Sequence, residues 1–198
     1  MSERWNAATQ EDPTARLRSA LQALKPPEVA NRSAAPVSSV FVRAAAAVPA
    51  DAHPPVPRGT VVARMSGVVA SALLPGTTVV LVVAPDAAAQ AEAAAHGERL
   101  LASGAVVVML GPDLPRRVED RSRVLTVPLR TDDSLSQEWA LITCGPARRM
   151  AVLAQREPDR EDAWSWLSTR DTVAVHRAGT AILERVPFLR LFVPALAD

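Results

Sequence analysis

Residues 131–153 of the chain read TDDSLSQEWALITCGPARRMAVL. A polar, acidic turn opens this stretch, and a Glu-Trp pair then leads into an apolar run at residues 140–144, which is short enough for a buried strand. Gly145 and Pro146 follow, and this pair ends strands and favours the first turn of a helix. The stretch therefore predicts a loop, a strand, a turn and a helix through residues 150–153.

The region before this stretch has the pattern of a βαβ unit. Residues 78–84 are rich in β-branched side chains and almost continuously apolar, which is typical of a strand covered on both faces, and residues 105–110 predict a second buried strand. Between them lies an alanine-rich segment that Asp86 can cap and that runs as a helix to about residue 102. Two parallel strands joined by a right-handed crossover are expected here.

Further elements flank these units on both sides. Residues 58–74 carry an apolar stripe at helical spacing and predict a helix, and residues 124–129 alternate between apolar and polar side chains as a strand does. Residues 163–169 predict a fifth strand, and Asp171 caps a final helix. The order indicates an α/β domain of three layers, with a mostly parallel or mixed five-stranded sheet and helices on both faces.

The composition divides the chain into three parts. Residues 1–57 hold a short amphipathic helix at 11–24 and a tether rich in proline and alanine, in which residues 37–42 alone favour a brief strand. Residues 58–186 carry the periodic pattern of the folded domain. Residues 187–198 form an apolar tail that needs cover from the domain or from another protein.

Composition also bounds the class of protein. The chain has 198 residues, of which 48% are hydrophobic, and a formal net charge of +1. It therefore has enough apolar residues for a sizeable core. Its net charge is too small to attract it to nucleic acid or to an anionic membrane. No apolar run approaches the roughly 20 residues of a spanning helix, and the first residues lack the apolar core of a signal peptide.

The cysteine and histidine residues argue against a metal centre. Cys144 is the only cysteine, which excludes an internal disulfide and a multi-cysteine metal site and fits a reducing cytoplasm. The three histidines, His53, His96 and His176, are scattered along the chain. We therefore expect a cytoplasmic protein without a bound metal.

The order D-D-x-L-x-x-E-W, ahead of an apolar run that Gly145 and Pro146 close, resembles the DICT sensory domain. That family is a module of bacterial signalling proteins, found beside diguanylate cyclases, two-component proteins and transcriptional regulators. The pair Trp164 and Trp166, ahead of the Thr-Arg-Asp that opens the last helix, is similar to the family's strand with two aromatic residues. The resemblance covers roughly residues 63–186, with the elements in the same order.

The resemblance implies a non-catalytic cytoplasmic sensory or interaction domain without a cofactor. Such a domain passes a ligand or partner signal to an output protein in bacterial signal transduction, so a signalling protein is the expected partner. The apolar residues at 187–196 are a candidate surface for that partner or for a second copy of the chain, and packing within the monomer is the alternative. Neither nucleic acid nor a membrane is expected as a partner.

Asp132, Asp133 and Glu138 form the densest group of carboxylates in the chain. Two carboxylates share acid and base chemistry where an apolar setting separates their pKa values. Asp side chains ahead of a strand also bind backbone amides in turns. No nucleophile or metal set accompanies the group, so turn chemistry is favoured, and the three residues are weak candidates for ligand binding.

A strand end followed by Gly-Pro and two arginines occurs twice. One occurrence lies in residues 110–117, and the other places Arg148 and Arg149 after Gly145 and Pro146. Arginines and helix N-termini beyond strand ends can hold a phosphate, so Arg148 and Arg149 are weak candidates for an anion site. The alternative function is therefore a small nucleotide- or anion-binding enzyme, although exposed arginines are common in an Arg-rich chain.

Trp139, Trp164 and Trp166 supply most of the large aromatic surface of the domain. Indole side chains are usually core or interface anchors, although a pair at i and i+2 also makes a stacking platform. Trp139 opens a predicted buried strand. We therefore expect a structural role for it, with Trp164 and Trp166 packed in the core.

Overall fold

The computed structural model describes residues 39–48, 54–73, 79–102, 104–114, 124–145, 149–160 and 162–185. All of them belong to the unit Ala35–Asp198, and residues 1–34 lie outside the described residues. The helix predicted at 11–24 and the apolar tail at 187–198 lie outside them as well.

Seven strands and four α-helices make up the described ranges. The strands are β1 (Val56–Pro57), β2 (Val79–Val83), β3 (Val106–Pro112), β4 (Val124–Leu129), β5 (Glu138–Cys144), β6 (Arg149–Arg156) and β7 (Ala163–Thr169). The helices are α1 (Val40–Ala45), α2 (Arg58–Ala72), α3 (Ala87–Ala102) and α4 (Thr172–Arg185). A 3-10 turn at Ser134–Gln137 leads into β5.

The strands form one mixed sheet in the order β1-β7-β6-β5-β2-β3-β4. β2, β3 and β4 are parallel to one another, and the remaining pairings are antiparallel. The predicted α/β class and the mixed sheet are confirmed, and β2, α3 and β3 form the predicted βαβ unit. The predicted number of five strands is wrong, because β1 and β6 also join the sheet.

The helix predicted after Gly145 and Pro146 is wrong, because residues 149–156 form strand β6. Met, Ala and Leu favour helices, so residues 150–154 fit either element on local propensity. The neighbouring strands decide the outcome, since β6 pairs with β5 on one side and with β7 on the other. Residues 151–154 are all buried, as a strand covered on both faces requires and an amphipathic helix does not.

Helix α1 corrects the interpretation of the tether. The strand predicted at 37–42 is wrong at the positions that α1 occupies. Ser39 caps this helix, and its hydroxyl accepts the amide of Val42 at 3.0 Å. Val40 and Ala44 are fully buried. Both α1 and β1 therefore belong to the packed domain, whereas the predicted tether extends to residue 57.

Helices cover both faces of the sheet, as predicted. α2 and α3 lie on one face, where they enclose an apolar cluster with alternate residues of the strands. The strand residues of this cluster include Val80, Val82, Val107, Met109, Trp139, Leu141 and Trp164. On the opposite face, α1 and α4 pack against each other and against β5 and β6.

Candidate functional site

Two consecutive residues at the start of β5 face opposite sides of the sheet. Trp139 is 3% exposed and belongs to the cluster beneath α2 and α3, whereas Glu138 is 1% exposed and contacts the start of α1. Both come from the Glu-Trp pair that marks the 131–153 stretch in the sequence. The pair connects the two helical layers through a single strand.

Trp139 lies in a group of aromatic and arginine side chains. Its ring meets that of Trp164 in a T-shaped contact, with the ring centroids 6.0 Å apart. The guanidinium carbon of Arg58 lies 4.8 Å from the centroid of the Trp139 ring, at cation–π distance. Trp164 is buried, and Trp166 is partly buried with Arg64 5.0 Å from its ring. This arrangement favours a packing role for the three indoles.

Arg58, the first residue of α2, forms a bidentate ion pair with Asp86 just ahead of α3. Nη1 lies 2.6 Å from Oδ2, and Nη2 lies 2.9 Å from Oδ1. The hydrogen bond from Arg58 is the main reason that the pKa of Asp86 lies below its ordinary value. Oδ1 also accepts the amide of Ala89 at 2.9 Å and so caps α3. The N-terminal ends of the two helices are thereby tied together beside Trp139.

A cleft lies between α2 and α3. It encloses about 380 Å³ of empty space, part of it open to solvent, and about 30 Å³ of this accommodates the centre of a water molecule. The wall is mainly apolar, and the ring of Trp139 forms part of it. Three polar side chains also line it, namely Ser66 on α2 and Glu92 and His96 on α3. A mainly apolar wall with a few polar groups is the usual form of a small-molecule site.

Glu92 and His96 stand one turn apart on α3, so their side chains share a face of the helix. Oε2 of Glu92 is buried, and no hydrogen-bond donor in the described part of the chain reaches it. The Glu-x-x-x-His spacing in the sequence is the signal that points to this pair, whereas the prediction of three scattered histidines overlooks it. Within the described residues there is no group of three or more side chains suited to holding a metal ion.

Two of the predicted site carboxylates have separate partners. Asp132 is exposed and pairs with Arg130, whose Nε lies 2.9 Å from Oδ1, and this bond lowers the pKa of Asp132. Asp133 caps the 3-10 turn by accepting the amide of Leu135 at 2.9 Å. Its Oδ1 also lies 3.0 Å from Nη2 of Arg185 on α4. These contacts hold a turn and a helix end.

Glu138, the third of these carboxylates, holds the start of α1. Its Oε2 accepts the amide of Phe41 at 3.1 Å, and its buried Oε1 has no hydrogen-bond donor in the described part of the chain. Burial raises the pKa of Glu138, and hydrogen bonds from the Ser39 side chain and from the Phe41 and Val40 amides act in the opposite direction. The carboxylate serves as an acceptor for the first amides of a helix, which have no partner within the helix itself.

The predicted arginine site is only partly described. Arg149 begins β6, is partly buried and stands opposite Cys144 in the strand register. Arg148 and Pro146 lie outside the described residues, as do the two arginines of the first Gly-Pro occurrence, and Gly145 is buried at the end of β5. Burial raises the pKa of the Cys144 thiol to about 11, so this thiol is a poor nucleophile at neutral pH. The anion site stays a prediction.

Comparisons with known proteins add no family assignment. No protein-family model, no curated protein and no solved structure matches the chain. Among the helices in the described ranges, none is both long enough and apolar enough to cross a bilayer. The resemblance to the DICT domain stays a prediction, and the assignment of a role is a proposal argued from the geometry of the site.

Proposed function

We propose that the chain is a non-catalytic sensory and interaction domain of the DICT type. A ligand or partner binds at the cleft beside Trp139, and the change passes through β5 to the layer formed by α1 and α4, and from there to an output protein. One observation carries the proposal: Glu138 and Trp139 are neighbours on one strand but contact opposite helical layers.

On the cleft side, Trp139 is placed to respond to an occupant. Its ring is part of the cleft wall and packs against Arg58, which is bonded to Asp86 at the start of α3. A displacement of the ring therefore alters contacts that hold both helices of the cleft. Packed interiors shift between discrete arrangements rather than deforming continuously, so a small local change can move a whole element.

On the opposite side, Glu138 is bonded to α1, and α1 packs on α4. Nη1 of Arg43 on α1 lies 2.9 Å from the Glu184 carboxylate on α4, and Arg185 contacts Asp133 in the turn ahead of β5. The N-terminal segment of the chain precedes α1, and its C-terminal segment follows α4. An output protein bound to this layer or to either segment receives the change.

Filling the cleft tests this connection before the ligand is identified. Ala93 on α3 lines the cleft and Ala91 on the same helix is exposed, so Ala93→Leu and its control Ala91→Leu add the same group in different surroundings. Hydrogen–deuterium exchange of the full-length protein is then measured at Phe41 and the other amides of α1. We expect Ala93→Leu to change this exchange several-fold and Ala91→Leu to leave it unchanged.

Unchanged exchange at α1 in Ala93→Leu, with the variant folded, would overturn the proposal. Ser66→Val adds bulk from α2 and takes the place of Ala93→Leu if that variant does not fold. Exchange at β4, at the far edge of the sheet, serves as an internal control. A general loss of stability raises exchange in β4 as well as in α1, whereas the proposed connection affects α1.

A further inference from the structure

We infer that the cleft between α2 and α3 binds a small primary amine in its ammonium form, with Glu92 as the charged acceptor and the apolar body of the ligand against Trp139. This inference rests on the proposed function, since it names the chemical class of the occupant of the same cleft. The observation behind it is Oε2 of Glu92, a buried carboxylate oxygen in the lining of an apolar cleft, without a donor in the described part of the chain.

A buried carboxylate oxygen without a donor is unfavourable. About 90% or more of the buried polar groups in folded proteins have a hydrogen-bond partner, and each exception requires an explanation such as a water or an ion. A charged group loses still more on burial unless it is paired. Because most of the cleft lining is apolar, a donor carried by a ligand is the partner that Glu92 lacks.

The same oxygen determines the charge of the ligand. An ionised carboxylate only accepts hydrogen bonds and repels anions, so a cationic donor fits and a phosphate or a second carboxylate does not. Arg58 bonds to the two oxygens of Asp86 through its Nη atoms, and it does not donate to Oε2 of Glu92. Asp86 and, to a smaller extent, Glu92 raise the pKa of Arg58, so Glu92 lies within electrostatic reach of this guanidinium. What Glu92 offers the ligand is the unfilled hydrogen-bond site at Oε2.

The polar lining and the available space determine the rest of the ligand. An ammonium group has three donors, and Glu92 and His96 on α3 and Ser66 on α2 supply acceptors on both sides of the cleft. The 30 Å³ that accommodates the centre of a water molecule is room for about two water-sized groups, so the ligand is small and part of it lies in the open portion of the 380 Å³. Val62, Met65 and the Trp139 ring provide its apolar contacts.

Isobutylamine hydrochloride is a suitable probe, and isobutanol is its neutral analogue of nearly the same shape. Each is titrated into the full-length protein at neutral pH by calorimetry, with tryptophan fluorescence as a second signal. We expect saturable binding of the amine, about tenfold or more tighter than binding of isobutanol, because a charge-assisted hydrogen bond replaces a neutral one. Isovalerate, which carries the opposite charge on a similar body, should not bind.

Glu92→Gln removes the charge and nearly keeps the shape of the side chain. We expect this variant to bind isobutylammonium about tenfold or more weakly than the wild type and to bind isobutanol with little change. Asp159→Asn is the matched control, because Asp159 is an exposed carboxylate in the turn between β6 and β7. If Glu92→Gln does not fold, Ala93→Leu must abolish the binding of both ligands.

Equal affinity for the amine and the alcohol, or an amine affinity that Glu92→Gln leaves unchanged, would overturn the inference. Absence of saturable binding by all three probes would show a cleft that holds only water, and would overturn it as well. Amine binding without a response of α1 to Ala93→Leu would overturn the proposed function and leave this inference standing. A response of α1 to Ala93→Leu without amine binding would overturn this inference and leave the proposed function standing.

Discussion

The two faces of the sheet each contain a glutamate with a buried carboxylate oxygen, and the protein treats the two carboxylates differently. On the α1–α4 face, Oε2 of Glu138 accepts the amide of Phe41 at 3.1 Å, whereas its buried Oε1 has no donor in the described part of the chain. On the α2–α3 face, Oε2 of Glu92 belongs to the lining of a cleft and finds no donor in the described part of the chain. Both carboxylates therefore have a buried oxygen without a donor, and they differ in their surroundings. Glu92 lines a cleft that a ligand can enter, whereas Glu138 is 1% exposed and holds the start of α1.

The largest expected effect concerns the residue between the two faces. Trp139→Ala should lower the free energy of unfolding by about 3–5 kcal/mol, because the indole is buried and packs against Trp164 and Arg58. Urea unfolding followed by circular dichroism measures this loss. Trp166→Ala is the control and should lose less than half as much, since Trp166 is only partly buried. If Trp139→Ala were as stable as the wild type, Trp139 would not be a structural link between the two faces.

Removal of each carboxylate tests the comparison of the faces directly. Glu138→Ala should lower the free energy of unfolding by about 1–3 kcal/mol, because the first amides of α1 lose a buried acceptor. Glu92→Ala should leave the free energy of unfolding unchanged or raise it, because an unpaired buried oxygen is removed. The same urea series measures both. Equal losses in the two variants would show that Glu92 has a structural donor, and the contrast between the faces would fail.

Much of the sheet was predictable because its central strands are almost wholly apolar. All residues of β2 and of β5 are buried, and strands covered on both faces have this composition. β6 was not predictable in the same way, because its Met, Ala and Leu residues have no strong preference for a strand. Pairing with β5 and β7 determines its conformation, and a local pattern does not record which strands lie beside a segment.

Helix α1 and the cleft depend on contacts between distant parts of the chain. A helix as short as α1 is not stable alone, and it relies on Glu138, which is 97 residues away from Phe41 in the sequence. The cleft depends on the separation of α2 and α3, which no sequence pattern gives. The spacing of Glu92 and His96 was visible, but it gains meaning only when the apolar wall opposite them is known.

The smallest expected effect is a pH dependence with opposite signs at two carboxylates. Burial raises the pKa of Glu138, so the folded state binds this proton more tightly than the unfolded chain does. Its contribution to stability is fully present below the unfolded pKa of about 4.3 and is lost as pH rises through the folded pKa. The bond from Arg58 lowers the pKa of Asp86. That contribution is present above the unfolded pKa of about 3.9 and is lost as pH falls through the folded pKa.

Urea unfolding of the wild type, Glu138→Gln and Asp86→Asn across acidic and neutral pH measures both dependences. Gln and Asn do not titrate, so each difference from the wild type isolates one carboxylate. The stability of the wild type relative to Glu138→Gln should fall as pH rises above about 4, and relative to Asp86→Asn it should fall as pH drops below about 4. If the stability difference between the wild type and Glu138→Gln did not change with pH, the hydrogen bonds from Ser39 and the amides of α1 would offset the effect of burial on the pKa of Glu138. If the wild type instead became more stable relative to Glu138→Gln as pH rises, α1 would favour the ionised form of Glu138. Protonation of this carboxylate, rather than its ionisation, would then loosen this face of the sheet.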